Sequence, residues 1–480
     1  MKYFLAIDIG ASSGRHFITW KNENDELEYK EIFRFKNGLE KRNSHLCWNL
    51  EGLFTNIKDG LKECKKQGVI PESLGIDTWG CDFVLLDSEG KILGDSVAYR
   101  DNRTEGYMEK LNSLIGAEEL YQRTGIQRQP FNTIYQLMSI KDKNPEILER
   151  ANNFLMIPDY FHYLLSGQIS NEYTNATTTA LVNTETKDWD WELIKLLGLP
   201  EKIFLPLLKP GKKIGRLSED IEKEVGFSCD IVLPCTHDTG SAIAALPLSE
   251  NKAGENKPVL YISSGTWSLL GSELYEANKE HKSFIHNYTN EGGYGENGFG
   301  NRYRFLKNIM GLWMLQSVKK ELEERSANVI SFDELDKEAK ESCIKSIVAC
   351  NDKCFLAPSS MIDAVQSFCQ KRKLRVPQTA GELARVIYES LARCYAEAIK
   401  ELEDILNCSF EELYIVGGGS KSTLLNLFTE RCTGLKIIAG PSEATAIGNC
   451  LIQMICDGEY KNLAEARQAV RNKVLKNGGK

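Results

Sequence analysis

The sequence predicts an α/β protein built from two domains. Its 480 residues exceed what one ordinary hydrophobic core accommodates. Apolar strand patterns alternate with helical patterns, and a strand followed by a turn of small residues occurs near residue 1 and again after the polar stretch 249–258. We therefore predict an amino-terminal domain over 1–248, a linker over 249–258 and a carboxy-terminal domain over 259–480.

The elements of the first half follow from the spacing of apolar residues and from the turn residues between them. The predicted elements are strands over KYFLAIDI (2–9), RHFITW (15–20) and LEYKEIFRF (27–35), an amphipathic helix over 49–66, a strand over SLGIDTWG (73–80), and a hairpin over FVLLDSEGKIL (83–93) with Ser88 to Gly90 at its tip.

Three later segments repeat the order of strand, turn and further apolar chain. CDIVLPCTHDTGSAIAALP (229–247) predicts a strand, a loop and a helix of small residues. VLYISSGTWSLLG (259–271) predicts a strand and a small-residue turn. LYIVGGGS (413–420) predicts a strand and a glycine run, with a helix beginning near Ser422.

Composition excludes several classes of protein. The formal charge of -8 gives no electrostatic reason to expect nucleic acid or an anionic membrane as a partner. No apolar run is long enough to span a bilayer, and MKYFLAIDIG reaches a charged residue and a glycine too early for a signal-peptide core. We therefore expect a cytoplasmic protein. Most of its 14 scattered cysteines should then be free thiols in the core.

Two turns are suited to binding phosphate. Gly, Ala and Ser over 10–14 let backbone amides approach an anion closely, although an ordinary hairpin turn explains that segment equally well. A second such turn, Ser263 to Thr266, follows the predicted linker, so the pair favours a nucleotide held between the two domains. Three glycines, Gly417 to Gly419, are typical of bare backbone on which a flat nucleoside can lie.

Asp238 lies in the strand-to-helix segment 235–240 and has two interpretations. It caps the following helix, or it accepts the proton of a substrate hydroxyl during phosphoryl transfer, for which a well-placed carboxylate suffices. The two roles are compatible, because the helix amino terminus is expected to keep the carboxylate ionised at neutral pH. His237 beside it is expected to act as a hydrogen-bonding residue.

These segments together resemble the FGGY family of carbohydrate kinases, within the actin, hexokinase and Hsp70 superfamily. The likeness extends from residue 4 to about 450, nearly the whole chain. The segments that carry it are FLAIDIGASSGRH, GIDTWGCDFVLLD, AYRDNRT, MIPDYFHYLLSG, NEYTNATTT, CTHDTGSA, YISSGTWSL, RFLKNIMGLWMLQ, IVGGGSKSTLLN and GPSEATAIGN.

The resemblance implies two ribonuclease-H-like domains with a cleft between them, in which ATP phosphorylates L-rhamnulose at O1 with the help of Mg²⁺. It implies Asp238 as the proton acceptor and Asp8 as a holder of the metal ion, through water. The ATP contacts that it implies are Ala11, Ser12, Ser13, Gly14, Arg15, Thr266, Gln316 and Gly418. The sugar contacts that it implies are Gly80, His237, Asp238, Thr239 and Asn308.

Other readings remain open on the sequence. The alternative substrate is a related ketose, L-fuculose above all, because the segment GGYGENGFGNRYR (292–304) is longer than the family pattern and is expected to form a mobile loop. A sugar-responsive regulator or a chaperone-like ATPase would need a DNA-binding or peptide-binding module, which we do not expect in this chain. Beyond ATP and the sugar we expect no nucleic-acid or membrane partner, and a monomer or homodimer.

Overall fold

The computed structural model of the protein describes residues 1–249, 257–295, 302–326, 329–356, 358–476 and 478. Its strands are β1 (Phe4–Ile9), β2 (Ser13–Lys21), β3 (Leu27–Lys36), β4 (Leu39–Arg42), β5 (His45–Trp48), β6 (Ser73–Thr78), β7 (Phe83–Leu86), β8 (Asn153–Met156), β9 (Asn171–Glu172), β10 (Leu207–Leu208), β11 (Lys213–Arg216), β12 (Asp230–Val232), β13 (Val259–Ser264), β14 (Trp267–Leu274), β15 (Thr289–Gly292), β16 (Tyr303–Met310), β17 (Glu412–Val416) and β18 (Lys436–Ala439).

The helices lie between and after these strands. They are α1 (Leu50–Lys66), α2 (Tyr107–Asn112), α3 (Ala117–Thr124), α4 (Thr133–Lys143), α5 (Pro145–Arg150), α6 (Ile157–Ser166), α7 (Tyr173–Ala176), α8 (Trp191–Leu196), α9 (Glu219–Val225), α10 (Asp238–Ala244), α11 (His281–Ile285), α12 (Trp313–Ser326), α13 (Phe332–Glu341), α14 (Met361–Lys371), α15 (Ala380–Leu406), α16 (Thr423–Thr433), α17 (Ala444–Asp457) and α18 (Leu463–Lys476).

The chain divides into two compact units. Unit 1 comprises Met1–Lys257, Glu273–Phe305 and Glu443–Asn477, and unit 2 comprises Pro258–Ser272, Leu306–Ser442 and Gly478–Lys480. Two segments beyond residue 259 therefore group with the amino-terminal part of the chain. Residues 250–256 of the predicted linker lie outside the described residues, and the predicted domain boundary stays a prediction.

Unit 1 contains a six-stranded sheet in the order β11-β12-β6-β1-β2-β3. Strands β12, β6 and β1 run parallel to one another, whereas β2, β3 and β11 are antiparallel to their neighbours. Every residue of β1 and β6 is buried, because parallel strands at the centre of such a sheet are covered on both faces. The carboxyl ends of β1, β6 and β12 consequently lie at the same edge of the sheet.

Two helices illustrate how the sheet faces are covered. The predicted helix over 49–66 is confirmed as α1, which buries Leu53, Ile57 and Leu61 at intervals of four against the sheet, and the Asn49 side chain caps it by accepting from the Gly52 amide. Helix α17 reaches β1 through Gln453, whose Nε2 donates to the Leu5 carbonyl at 2.9 Å.

The predicted hairpin over 83–93 is confirmed in a short form, in which the Asp87 amide donates to the Lys91 carbonyl at 2.9 Å, the Leu93 amide donates to the Leu85 carbonyl at 2.8 Å, and Leu86 and Ile92 form an antiparallel bridge. The turn over Ser88 to Gly90 forms, since the Gly90 amide donates to the Asp87 carbonyl at 3.1 Å. Strand β7 also pairs along its whole length with β8 on its other side, and this pairing was not predicted. The partner is therefore about 70 residues away in sequence, where local spacing gives no signal of it.

Unit 2 contains parallel strands β13, β17 and β18, with β17 in the middle. The strands predicted within 259–271 and 413–420 are confirmed as β13 and β17, and the apolar chain after the turn of the first segment forms a further strand, β14. The long helix α15 lies in this unit and is capped by Thr379, whose side chain accepts from the Glu382 amide. Each unit thus combines a partly parallel sheet with helices, which confirms the predicted α/β class.

All fourteen cysteines lie among the described residues and none is in a disulfide. Eight of them are buried, so the prediction of free thiols mostly in the core is confirmed. Within the same described ranges, no helix combines the length and the apolar character needed to cross a bilayer.

Candidate active site

Three aspartates meet at the carboxyl edge of the parallel strands in unit 1. Asp8 and Asp77 are the penultimate residues of β1 and β6, and their Cα atoms are paired in register. The chain after β12 continues beside β6, where the Thr78 amide donates to the Thr236 carbonyl at 2.9 Å, and this brings Asp238 to the same edge. A topology with three parallel strands therefore gathers carboxylates that are up to 230 residues apart, from Asp8 to Asp238.

The first predicted phosphate turn is closed by a short backbone bond. The Gly10 amide donates to the Ser13 carbonyl at 2.9 Å, and Ser12 between them is exposed. A Cβ at Gly14 would lie 2.1 Å from the Phe35 ring, so a larger residue there would displace that ring. Arg15 is turned to the carboxylates, with Nη2 2.7 Å from Asp8 Oδ2 and Nε 3.2 Å from Glu443 Oε2.

Asp77 lies beside Asp8 at this strand edge and was not among the residues predicted from the sequence. It is fully buried, Asn449 Nδ2 donates to its Oδ2 at 2.5 Å, and its Oδ1 has no hydrogen-bond partner among the described residues. Burial, followed by repulsion from Asp8, raises the pKa of Asp77 well above its usual value. The available signal was an aspartate inside the apolar strand SLGIDT, in the same position as Asp8 in FLAIDI.

Asp238 is the first residue of α10, and His237, not Asp238, occupies the position before that helix. The Asp238 side chain is 31% exposed, and its Oδ1 accepts from the Thr239 amide at 2.6 Å and from Thr239 Oγ1 at 3.1 Å. Burial raises the pKa of Asp238, and repulsion from Asp8 adds to this against the lowering effect of His237. The net shift is upward, opposite to the effect expected from a helix terminus, because burial outweighs it.

The Nδ1 side of the His237 ring contacts a buried ion pair formed by Arg304 and Glu291. Arg304 Nη2 lies 3.0 Å from His237 Nδ1 with hydrogen-bond geometry, and Glu291 Oε2 lies 3.2 Å from the same nitrogen. Arg304 and Glu291 are themselves 3.1 Å apart. The other ring nitrogen, Nε2, lies 3.5 Å from Asp238 Oδ1. Neither Arg304 nor Glu291 was identified from the sequence.

The loop that carries His237 is fixed by a buried glutamate. Glu172 Oε2 accepts from the Thr236 amide at 3.0 Å and from Thr236 Oγ1 at 2.7 Å. Asn175 Nδ2 donates to the Thr236 carbonyl at 3.3 Å and, more weakly, to the Trp79 carbonyl at 3.5 Å. Both anchors belong to the segment NEYTNATTT, so this segment holds the loop that carries His237.

Gly80 follows β6 in a turn that includes Cys81 at a φ of 73°. Gly80 is one of the sugar contacts that the family resemblance implies. A Cβ on Gly80 would lie 3.0 Å from Thr178 Oγ1 and Cγ2, and Thr178 Oγ1 accepts from the Cys81 amide at 2.9 Å. The space next to the Gly80 Cα is thus filled by Thr178.

In unit 2 the second small-residue turn lies beside the glycine run. Ser263 is paired in register with Val416, so that the turn after β13 and the run after β17 are adjacent. A Cβ on Gly419 would lie 1.9 Å from Ser264 Oγ, whereas Gly418 is exposed with open space around it. The structure therefore brings the turn that carries Thr266 next to Gly418.

The two remaining predicted residues of unit 2 flank the start of α12. The Trp313 amide donates to the Thr266 carbonyl at 3.2 Å and the Gln316 amide to the Leu312 carbonyl at 2.8 Å, so Gln316 lies in the first turn of the helix that follows the Thr266 turn. Asn308 lies in β16, and its Oδ1 is buried with no hydrogen-bond partner in the part of the chain that the structure describes. Residues 296–301 of the predicted mobile loop lie outside those residues.

The fold is that of the two-domain α/β sugar kinases. A crystal structure of xylulose kinase from Rhodospirillum rubrum superimposes with a TM-score of 0.77 at 15% identity, covering 98% of this chain and 92% of that one. Plasmodium falciparum glycerol kinase with ADP gives a TM-score of 0.76, also at 15% identity and with the same coverage of 98% and 92%. At such low identity these likenesses define the fold alone.

The chain belongs to the FGGY family of carbohydrate kinases. The model of the family's N-terminal domain matches residues 3–245 and that of its C-terminal domain matches residues 260–456. The similar curated proteins include the rhamnulokinase of Halalkalibacterium halodurans, 45% identical over 470 residues with 98% of this chain and 97% of the relative covered. The rhamnulokinase of Bacillus subtilis is 42% identical over 471 residues, covering 98% and 93%.

Proposed function

We propose that the protein transfers the γ-phosphoryl group of ATP to O1 of L-rhamnulose, giving L-rhamnulose 1-phosphate and ADP in rhamnose catabolism. The observation that carries the choice of sugar is the 45% identity to a rhamnulokinase over 98% of the chain. Three of the proposed sugar contacts are consecutive residues at the strand edge, namely His237, Asp238 and Thr239. We also propose Gly80 and Asn308 as sugar contacts.

Asp238 is the proton acceptor in this proposal. As O1 forms its bond to the γ-phosphorus and the bond from that phosphorus to the bridging oxygen of ADP breaks, the O1 proton moves to a carboxylate oxygen of Asp238. Phosphoryl transfer has a loose transition state, so a well-positioned acceptor is sufficient. The raised pKa of Asp238 supports the role, because a general base works best when its pKa approaches the operating pH.

The two small-residue turns are the proposed binding sites for the phosphates of ATP. Ala11, Ser12, Ser13, Gly14 and Arg15 of unit 1 are the proposed ATP contacts nearest the carboxylates, and backbone amides in such turns suit phosphate oxygens. Of unit 2, we propose Thr266, Gln316 and Gly418 as the further ATP contacts. The open space around Gly418 supports its part of this assignment.

Asp8 and Asp77 fit a Mg²⁺ ion that arrives with ATP. In kinases this ion keeps several waters and takes one or two carboxylates in addition to phosphate oxygens. The unpartnered Oδ1 of Asp77 and the paired register of Asp8 and Asp77 match that donor set. No group of three or more His, Cys, Asp or Glu side chains poised for a metal occurs in the described ranges, which agrees with a site that phosphates complete. When bound, the ion neutralises phosphate charge.

A coupled assay of ADP release tests the proposal. Initial rates with L-rhamnulose, L-fuculose, L-xylulose and glycerol should give a kcat/KM for L-rhamnulose at least about 10-fold above the others, since hydroxyl-specific sites discriminate by that much or more. Phosphorus NMR of the product should place the phosphate on O1. A higher kcat/KM for L-fuculose would replace the sugar, and no ADP release with any of the four would refute the function.

A further inference from the structure

Arg304 is a fully buried arginine whose hydrogen bonds decide the protonation of His237. Its Nη2 lies 3.0 Å from His237 Nδ1 and its Nε donates to the Gly292 carbonyl at 2.9 Å. A guanidinium carries five N–H donors and no acceptor. The hydrogen bond to Nδ1 therefore requires a lone pair on that nitrogen, and the single ring proton must be on Nε2.

Glu291 competes for the same ring nitrogen. Its Oε2 lies 3.2 Å from His237 Nδ1, and a carboxylate accepts only, so a histidine bonded to Glu291 would carry its proton on Nδ1 and leave Nε2 bare. Burial alone would raise the pKa of Glu291, but the positive charge of Arg304 holds it below its usual value. The charge of Glu291 is thus balanced by Arg304 at 3.1 Å without need of a proton on Nδ1.

The choice of tautomer matters because of what faces the other nitrogen. Nε2 lies 3.5 Å from Asp238 Oδ1. An Nε2–H group can donate a hydrogen bond to the carboxylate of Asp238 and to a nearby sugar hydroxyl. An unprotonated Nε2 would instead direct its lone pair at the carboxylate, and the two groups would repel each other. A doubly protonated ring would donate as well, but its positive charge would make Asp238 a weaker base.

We propose that Arg304 is a positioning residue that holds His237 as the neutral Nε2–H tautomer, so that the ring presents a donor without a charge beside the proton acceptor Asp238. Glu291 balances the charge of Arg304 in this arrangement. The effect on turnover rests on the proposed function. The tautomer itself does not, because it is fixed in the protein without substrate.

Nitrogen NMR of the imidazole rings measures the tautomer directly. The chain has six histidines, so ¹⁵N-histidine labelling gives a small set of signals, and the His237→Asn spectrum identifies the one from His237. The wild-type ring should show a protonated Nε2 and an unprotonated Nδ1. In Arg304→Met only Glu291 remains to bond Nδ1, and the ring should gain a proton there.

The same variant should lose activity mainly in kcat. Because the donor beside Asp238 is misplaced while the other sugar contacts and the ATP contacts remain, we expect kcat to fall about 10- to 100-fold with KM changed much less. Arg304→Met/Glu291→Gln should reverse both effects in part. The glutamine amide can donate to Nδ1, and the uncompensated buried carboxylate is gone.

Arg467 supplies the matched control. It is as buried as Arg304, Nη1 lies 2.8 Å from Glu273 Oε2, and Nη2 donates to the Ile243 carbonyl at 2.7 Å, so Arg467→Met removes a comparable ion pair of the same unit. We expect it to lower stability without changing the His237 signals. A change equal to that of Arg304→Met would mean that any lost buried arginine disturbs the ring, and would overturn the proposal.

The proposal is also refuted by a wild-type His237 with its proton on Nδ1, or by a folded Arg304→Met whose His237 signals match those of the wild type. Should Arg304→Met not fold, Glu291→Met decides, because methionine can neither donate to Nδ1 as an amide would nor accept from it as a carboxylate would: a retained Nε2–H signal supports Arg304 as the determinant, and its loss refutes that role for Arg304. An intact Nε2–H signal in an enzyme that phosphorylates none of the four sugars would refute the proposed function and leave the tautomer assignment standing.

Discussion

Replacing Gly448 by alanine should disturb the helix that carries Asp238. Gly448 lies in α17, and a Cβ at this position would be 1.8 Å from the Ser241 carbonyl oxygen in α10 and 2.8 Å from the Ser241 carbonyl carbon. Real Cβ contacts essentially never fall below 3.0 Å, so the separation must grow by at least 3.0 − 1.8 = 1.2 Å. The obstacle is backbone, which cannot rotate away as a side chain would.

Two effects of Gly448→Ala oppose each other. Alanine is better than glycine in a helix interior by about 1 kcal/mol, while forcing atoms into a packed core costs about 1–3 kcal/mol or more. We expect the clash to prevail, with a net loss of about 1–2 kcal/mol in the free energy of unfolding. A shift of α10 by about 1 Å also moves Asp238, and misplacement on this scale lowers kcat by about 100-fold.

Urea unfolding and the ADP-release assay measure the two consequences. Gly38→Ala is the matched control, because a Cβ at Gly38 meets no atom within 4 Å; its unfolding midpoint and kcat should equal those of the wild type. Wild-type stability and turnover in Gly448→Ala would refute the claim that α17 and α10 are in contact through this glycine.

Two further predictions concern buried polar groups of unit 1. Asn449→Leu removes the donor to Asp77 Oδ2 and to the Gly75 carbonyl, so the free energy of unfolding in urea should fall by about 2–4 kcal/mol; an unchanged unfolding midpoint would contradict the buried bond. Burial lowers the pKa of His162 to about 3, below the ordinary value of about 6.5. As the pH falls below about 6.5, this histidine is protonated in the unfolded chain but stays neutral in the folded protein, so the wild type loses stability. The stability advantage of wild type over His162→Gln should therefore shrink by up to about 1.4 kcal/mol per pH unit between pH 6.5 and pH 5, and an advantage that stays constant in urea unfolding over that range would contradict it.

Local patterns were enough to predict the elements that carry the site. The strands around Asp8, the helix after Asp238 and the glycine run over 417–419 are all encoded by residues close together in the chain. These predictions succeeded because a buried strand ending in small residues is specified by its own composition.

The residues that surround His237 could not be predicted in this way. Arg304 and Glu291 lie beyond the expected linker, in a segment that the compact units assign to the amino-terminal part of the chain, and nothing local marks them as partners of His237. Asn449 belongs to the segment GPSEATAIGN, which resembles the family pattern. Its bond to Asp77 nevertheless depends on the packing of α17 against β6. Contacts between distant segments are set by tertiary packing, which spacing along one sequence does not encode.

The central claim is that Asp238 accepts the proton from the sugar. The most direct test is to measure both the turnover and the ATP affinity of Asp238→Asn. The asparagine keeps an oxygen for the Thr239 amide but cannot accept the proton from O1, so kcat should fall by at least about 100-fold, with the dissociation constant of ATP close to that of the wild type. Asp220→Asn, at a side chain that is 98% exposed, should leave kcat unchanged. An Asp238→Asn enzyme that turns over L-rhamnulose at nearly the wild-type rate would contradict the assignment of Asp238 as the proton acceptor.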